Sequence, residues 1–128
     1  MRLHHVQISM PRGEESEARR FYGEALGLAE VPKPASLAGR GGCWFRAFKA
    51  DAVVAEIHLG VDDSFVPAKK AHPGLVCDSI HELETLAERI GSMGYELSWA
   101  ERETFEGYLR FHARDGFGNR LEIMTPAS

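Results

Sequence analysis

The chain has 128 residues, with 15 lysines and arginines against 19 aspartates and glutamates, a formal net charge of −4 and two cysteines. That length suits one domain, 1–128, able to bury most of the surface its unfolded chain exposes. An acidic chain without a basic run excludes nucleic acid and anionic membrane as main partners and leaves a small molecule.

No apolar N-terminal region of the secretory kind and no membrane-spanning run interrupts the pattern, so the expected location is the cytoplasm. Residues 3–10, LHHVQISM, alternate and predict a strand, with Val6, Ile8 and Met10 on one face and His5, Gln7 and Ser9 on the other. From Glu14 to Leu26, the residues Ala18, Phe21, Tyr22, Ala25 and Leu26 recur at helical spacing, and Gly27 supplies a stop. Pro32 to Gly42 reads as an exposed loop. Two strands follow. Cys43–Phe48 puts Trp44, Arg46 and Phe48 on one face, and Val53–Gly60 sets Glu56 and His58 opposite Ala55, Ile57 and Leu59. Cys43 and Cys77 sit in strand-like runs and read as small buried hydrophobes.

Val61 to Ala71 is a connector, after which a strand over His72–Asp78 leads into a helix from about Ser79 to Met93. Ser79 and Glu82 have capping-box spacing. A short strand near Tyr95–Ser98 precedes a hairpin over Gly107–Met124, turned by the Asp115–Asn119 stretch DGFGN. In its first strand Leu109, Phe111 and Ala113 share one side, while Tyr108, Arg110 and His112 share the other; in its second, Glu122 opposes Leu121 and Ile123.

Both halves therefore read strand, helix, three strands, over about 3–60 and 72–124. His5 matches His72 at an offset of 67 (72 − 5), and Glu56 matches Glu122 at 66 (122 − 56), as an internal duplication requires. The fold class is α+β: two βαβββ repeats forming a curved mixed sheet around a concave metal or ligand site. His5, His58, His72 and His112 take the concave parity with both glutamates, whereas His4 takes the opposite parity and His81 lies on a helix. Imidazole and carboxylate are ligands for Zn, Ni, Co, Mn or Fe, and two histidines with two glutamates neutralise a divalent ion. A second reading pairs Glu56 and Glu122 with Arg46 and Arg110 as salt bridges and makes Trp44, Phe48 and Tyr108 packing residues.

The stretches LHHVQI, ARRFYGEALGL, AHPGLVCD and RDGFGNRLEI span nearly the whole chain. Through them it resembles the vicinal-oxygen-chelate superfamily of glyoxalase I, fosfomycin and bleomycin resistance proteins, methylmalonyl-CoA epimerase and extradiol dioxygenases. The resemblance implies metal ligands at His5, His72 and Glu122, with a fourth at Glu56 or His58. Repeat symmetry favours Glu56, while EIHLG leaves His58 open because both face the same way. Pro73, after His72, departs from the β-former usual there and is tolerated at a strand's start. It also implies a divalent ion that chelates two neighbouring substrate oxygens and stabilises an oxyanion or enediolate. Glu122, Tyr108 or His112 would move the proton, and Trp44, Arg46, Phe48 and Arg110 would line an anionic substrate. The competing expectation is a non-catalytic ligand- or antibiotic-binding protein of the bleomycin-resistance type. A homodimer is expected in either case, because duplicated open sheets leave edges that a second copy covers.

Overall fold

In a computed structural model, Met1–Ser128 are described throughout and the chain divides into two units, Met1–Pro67 and Ala68–Ser128. The first contains β1 (Val6–Met10), α1 (Glu15–Ala18), a π-helical segment (Arg19–Ala25), β2 (Ala29–Val31), a 3₁₀ turn (Ala38–Arg40), β3 (Cys43–Lys49) and β4 (Ala52–Val61). The second contains β5 (Gly74–Val76), α2 (Ile80–Ser92), β6 (Leu97–Ser98), β7 (Tyr108–Arg114) and β8 (Arg120–Pro126). The α+β class and the repeated βαβββ order are as the sequence predicts. The hydrogen-bonded ladders form two separate four-stranded sheets with one topology, β1-β4-β3-β2 and β5-β8-β7-β6, rather than one continuous sheet. In each, the first strand runs parallel to the last and the other pairs are antiparallel.

Apolar periodicity explains each core. Phe21, Tyr22 and Phe45 are fully buried in unit 1, with the Tyr22 and Phe45 rings 5.7 Å apart. Each contributes about 2–3 kcal/mol through burial alone. In unit 2 the inward face of α2, Leu83, Ala87 and Ile90, is buried, as are Phe111, Leu121 and Ile123 of the sheet. Ser79 accepts a hydrogen bond from the Glu82 amide at 3.1 Å, so the predicted cap forms and fixes where α2 starts. Both cysteines are buried and unpaired, and burial pushes the Cys43 thiol up to about 11, which leaves it unreactive.

Four local features differ from the expectation. The first helix is α-helical for only four residues; beyond Ala18 it widens to five-residue closure, with the Leu26 amide bonded to the Phe21 carbonyl at 2.9 Å. Strand β1 begins at Val6, so alternation does not extend back through His4 and His5. A bulge between Ala47 and Phe48 interrupts β3. Strand β5 begins only at Gly74, because Pro73 has no amide to give; its carbonyl instead accepts from the Glu122 amide at 3.0 Å.

The β7–β8 turn sets the register that matters most. Asp115 accepts from the amides of Phe117 and Asn119, both at 2.9 Å, and from the Asn119 side chain at 2.9 Å. Gly118, at φ 89°, takes the left-handed conformation that closes it. With the turn pinned, His112 stands opposite Glu122 and Arg110 opposite Met124.

Candidate metal centre

Each unit holds one buried glutamate surrounded by the same kinds of group. In unit 1, Glu56 is 6% exposed in the middle of β4. Arg46, its direct neighbour across the ladder, donates to Oε1. His58 Nε2 lies 3.1 Å from Oε2, and His4 Nδ1 lies 3.4 Å from the same oxygen. His58 is clamped face to face between Trp44 (3.8 Å between centroids, 1° between planes) and His5 (4.1 Å, 17°). His4 and His5 approach through their Nδ1 atoms at 2.9 Å. The ligand atoms of His4, His5 and Glu56 all lie within 4.8 Å of one another.

In unit 2, Glu122 is again 6% exposed. Arg110 Nη1 donates to Oε1 at 2.8 Å, and His72 Nε2 lies 3.0 Å from Oε2. The His112 ring meets the His72 ring edge-on at 5.6 Å, and the ligand atoms of His72, His112 and Glu122 lie within 4.8 Å of one another. His72 Nδ1 is 2.7 Å from the Lys70 carbonyl, which only accepts, so Nδ1 carries the proton. A ring protonated at Nδ1 can hold its Nε2 against a carboxylate only through a second proton, as a donor, or through a metal ion between them. A backbone carbonyl holding the far nitrogen is the support that metal-bound histidines have.

The repeat symmetry is inexact at this point. The ladders set Val6 against Ile57 and Leu75 against Ile123, an offset of 69 on the first strands (75 − 6) but 66 on the last (123 − 57). Gly74, not His72, therefore stands beside Glu122. His72 reaches the carboxylate from the turn ahead of β5, and a Cβ added at Gly74 would lie 3.8 Å from Glu122 Oε2.

Electrostatics follow from burial and partners. Burial pushes both carboxyls up, but hydrogen bonds from Arg46 and His58 to Glu56, and from Arg110 and His72 to Glu122, outweigh it and hold both below the usual carboxylate range. Burial lowers His58 and His112, and for His112 the nearby Arg120 charge adds to it. The folded chain thus binds fewer protons at these four groups than the unfolded chain does. Such groups contribute stability that is full above their unfolded pKa and lost as pH falls toward the folded value. Metal-free protein should lose stability below about pH 6.5, where unfolded imidazoles take up protons, and lose more below about pH 4.5. Thermal unfolding in chelator at a series of pH values checks this; a midpoint that stays flat through both windows contradicts it.

The sequence candidates fall into three groups. His5, Glu56 and His58 come together with Trp44 and Arg46 in one unit, and His72, His112 and Glu122 with Arg110 in the other. Phe48 and Tyr108 do not join them. Phe48 lies beyond the bulge, opposite Val53 and 48% exposed beside the turn that joins β3 to β4. Tyr108 stands opposite Pro126, four residues along β7 from His112, about 13 Å away, and packs on Phe105. Arg46 and Arg110 spend donors on Glu56 and Glu122. Arg110 also binds the Glu101 carbonyl (3.1 Å) and Thr104 Oγ1 (2.8 Å), so it is a clamp rather than a free anion receptor. Sequence reasoning missed His4, whose only signal is its place directly before His5.

Comparison with known proteins identifies the family and the fold. The profile of the Glyoxalase/Bleomycin resistance protein/Dioxygenase superfamily matches residues 2–123. A structure described as a glyoxalase family protein from Bacillus anthracis is 40% identical, covers 98% of this chain and 99% of its own, and superposes with a TM-score of 0.81. A glyoxalase/dioxygenase from Nostoc punctiforme (19% identity, 99% and 92% coverage, TM-score 0.75) shares the fold. So does the fosfomycin resistance protein FosX from Listeria monocytogenes (17%, 99% and 94%, 0.74). No curated protein matches. No helix is long and apolar enough to cross a membrane.

Proposed function

Since the chain belongs to the Glyoxalase/Bleomycin resistance protein/Dioxygenase superfamily, we propose that it is a metal-dependent enzyme acting on a small, anionic, oxygen-chelating substrate in lyase, isomerase or dioxygenase chemistry. The observation that carries this reading is the His72–Glu122 pair, in which a carbonyl fixes the imidazole proton on Nδ1 and turns the other nitrogen toward a buried carboxylate. Separations of 2.9–3.4 Å between neighbouring donor atoms in the two clusters are those between ligands about 2.0–2.2 Å from one ion. The proposed ligands are His72 and Glu122 in unit 2, with His112 beside them, and His5 with Glu56 or His58 in unit 1, with His4 beside them, and Zn, Ni, Co, Mn or Fe is the ion. The ion supplies Lewis acidity toward substrate oxygens.

The chain's own residues do the rest. Arg110 occupies Glu122 Oε1 and leaves Oε2 for the metal side. His112, half-buried and kept neutral, holds a lone pair able to accept a proton; Glu122 is the other group placed to do so. Trp44 fixes the His58 ring by stacking. The test compares metal-loaded and stripped protein on α-keto, catecholic and thiol-adduct substrates. Turnover that follows metal loading supports the reading, and turnover indifferent to it contradicts it.

The second reading, a ligand-binding protein without catalysis, is favoured by one observation: Arg46 and Arg110 satisfy both glutamates without any ion. Under either reading the protein is proposed to be a cytoplasmic homodimer. Exposed Phe48, Val53 and Val54 at the β3–β4 tip and the edge strands of each sheet motivate the pairing. Light scattering should give twice the 14.2 kDa of one chain; a mass of one chain at micromolar concentration contradicts it.

A further inference from the structure

Arg114 and Arg120 stand directly opposite each other across the β7–β8 ladder, on the face that carries His112 and Glu122 and one step further along. That step of two residues spans about 6.6 Å. Like charges in direct cross-strand opposition repel, so the arrangement costs stability unless an anion answers it. No ion pair engages either residue. Their donors reach only carbonyl oxygens: Arg114 to Gly118 at 3.0 Å and Lys69 at 3.4 Å, Arg120 to Lys70 at 3.4 Å. Each guanidinium carries five N–H donors, so most remain free.

The two arginines line a groove with Ser98, His112, Glu96 and Glu101. Glu101 turns its carboxylate to Thr104 (2.6 Å) and Arg110 (3.8 Å), and Glu96 is exposed to solvent. Arg114 and Arg120 are only half-buried, within reach of a ligand yet partly shielded from water. This contrasts with Arg46 and Arg110, whose charges the buried glutamates already neutralise. The unanswered cations of the site are therefore not Arg46 and Arg110, the two that the sequence reading assigns to the substrate.

We propose that Arg114 and Arg120 form a subsite for an oxyanion of the substrate, a carboxylate or a phosphoryl group, held beside the His72, His112 and Glu122 cluster. The proposal deepens the metalloenzyme reading and rests on it for the identity of the site. Planar guanidinium forks recognise either group through paired charge-assisted hydrogen bonds.

The test titrates inorganic phosphate and, separately, acetate into metal-free protein while arginine Nε–H signals are followed by NMR. Saturable shifts at Arg114 and Arg120, with Arg46 and Arg110 unmoved, are expected. Tighter phosphate binding assigns a phosphoryl group, and tighter acetate binding a carboxylate. Arg120→Gln should weaken the preferred anion about tenfold or more, and Arg120→Lys, which keeps the charge but not the planar fork, should fall between that variant and the parent. That pairing separates lost recognition from a disturbed His72 turn. No saturable shift with either anion, shifts confined to Arg46 and Arg110, or unchanged affinity in Arg120→Gln overturns the subsite. Because the titration contains no metal, its outcome is separate from that of the metalloenzyme reading: anion binding without metal binding sinks the latter alone, and the reverse sinks the former alone.

Discussion

Glu122→Gln is expected to lower divalent-metal affinity by about two orders of magnitude or more while the fold survives, since even supporting groups around a metal are worth 10–100-fold. The substitution keeps shape and removes charge. A neutral amide leaves the ion's charge uncompensated in a largely buried place, where Glu122 is only 6% exposed. The same change acts on the metal-free protein in the other direction from a simple loss of ligand. Arg110 gives Nη1 to Glu122 Oε1 and His72 faces Oε2, so both lose a charged partner. The amide oxygen still accepts from Arg110, which limits the cost to about 2 kcal/mol. Metal titration and thermal unfolding of stripped protein, parent against variant, read the two effects separately. Unchanged metal affinity in Glu122→Gln contradicts the assignment of Glu122 as a ligand.

Gly42→Ala is the substitution expected to cost most stability, more than about 3 kcal/mol in unit 1. A Cβ at this position would lie 2.0 Å from the Leu59 carbonyl oxygen, and the backbone at φ +80° already disfavours any side chain. Neither atom yields, because Leu59 is held in the β3–β4 ladder opposite Cys43. The Gly42 amide also donates to Glu15 Oε1 at 3.1 Å, tying the loop to the first helix. Leu59 follows His58 directly, so a displaced strand carries the Trp44–His58–His5 stack with it. Gly39→Ala is the control: nothing lies within 4 Å of its added Cβ. Equal unfolding midpoints for the two variants contradict this account of the loop.

The order of elements was legible because period-2 and period-3.6 apolar patterns are strong wherever one face is buried, as over Phe111–Ile123 and over Leu83–Ile90. Strand β2 was anticipated only as a member of the repeat. Ala29-Glu30-Val31 is too short to show a period, and its pairing with Trp44–Arg46 is a long-range property. The π-helical widening left the apolar spacing unchanged, and so left no trace in the sequence.

At the candidate site, parity gathered Glu56, His58, His112 and Glu122 correctly onto polar faces. It failed where regular strand ends. His4 was set aside by alternation extended past the start of β1, and Phe48 was counted inward because a bulge has no local signature. The register of His72 depended on Pro73 delaying β5 by a residue pair. The division of labour among the arginines was invisible for a different reason. Arg46, Arg110, Arg114 and Arg120 look alike in sequence, and only side-chain partners show that the first two are neutralised by buried glutamates and the last two are not.

The most direct test of the central claim is the metal content of protein purified without chelator, followed by reconstitution of stripped protein with Zn, Ni, Co, Mn and Fe in turn. About one tightly held equivalent or more per chain is expected for at least one of these ions, lost in both Glu122→Gln and His72→Ala. A stable, folded parent protein that retains none of the five ions after reconstitution would contradict it and leave Glu56 and Glu122 as salt-bridged acids of a binding protein.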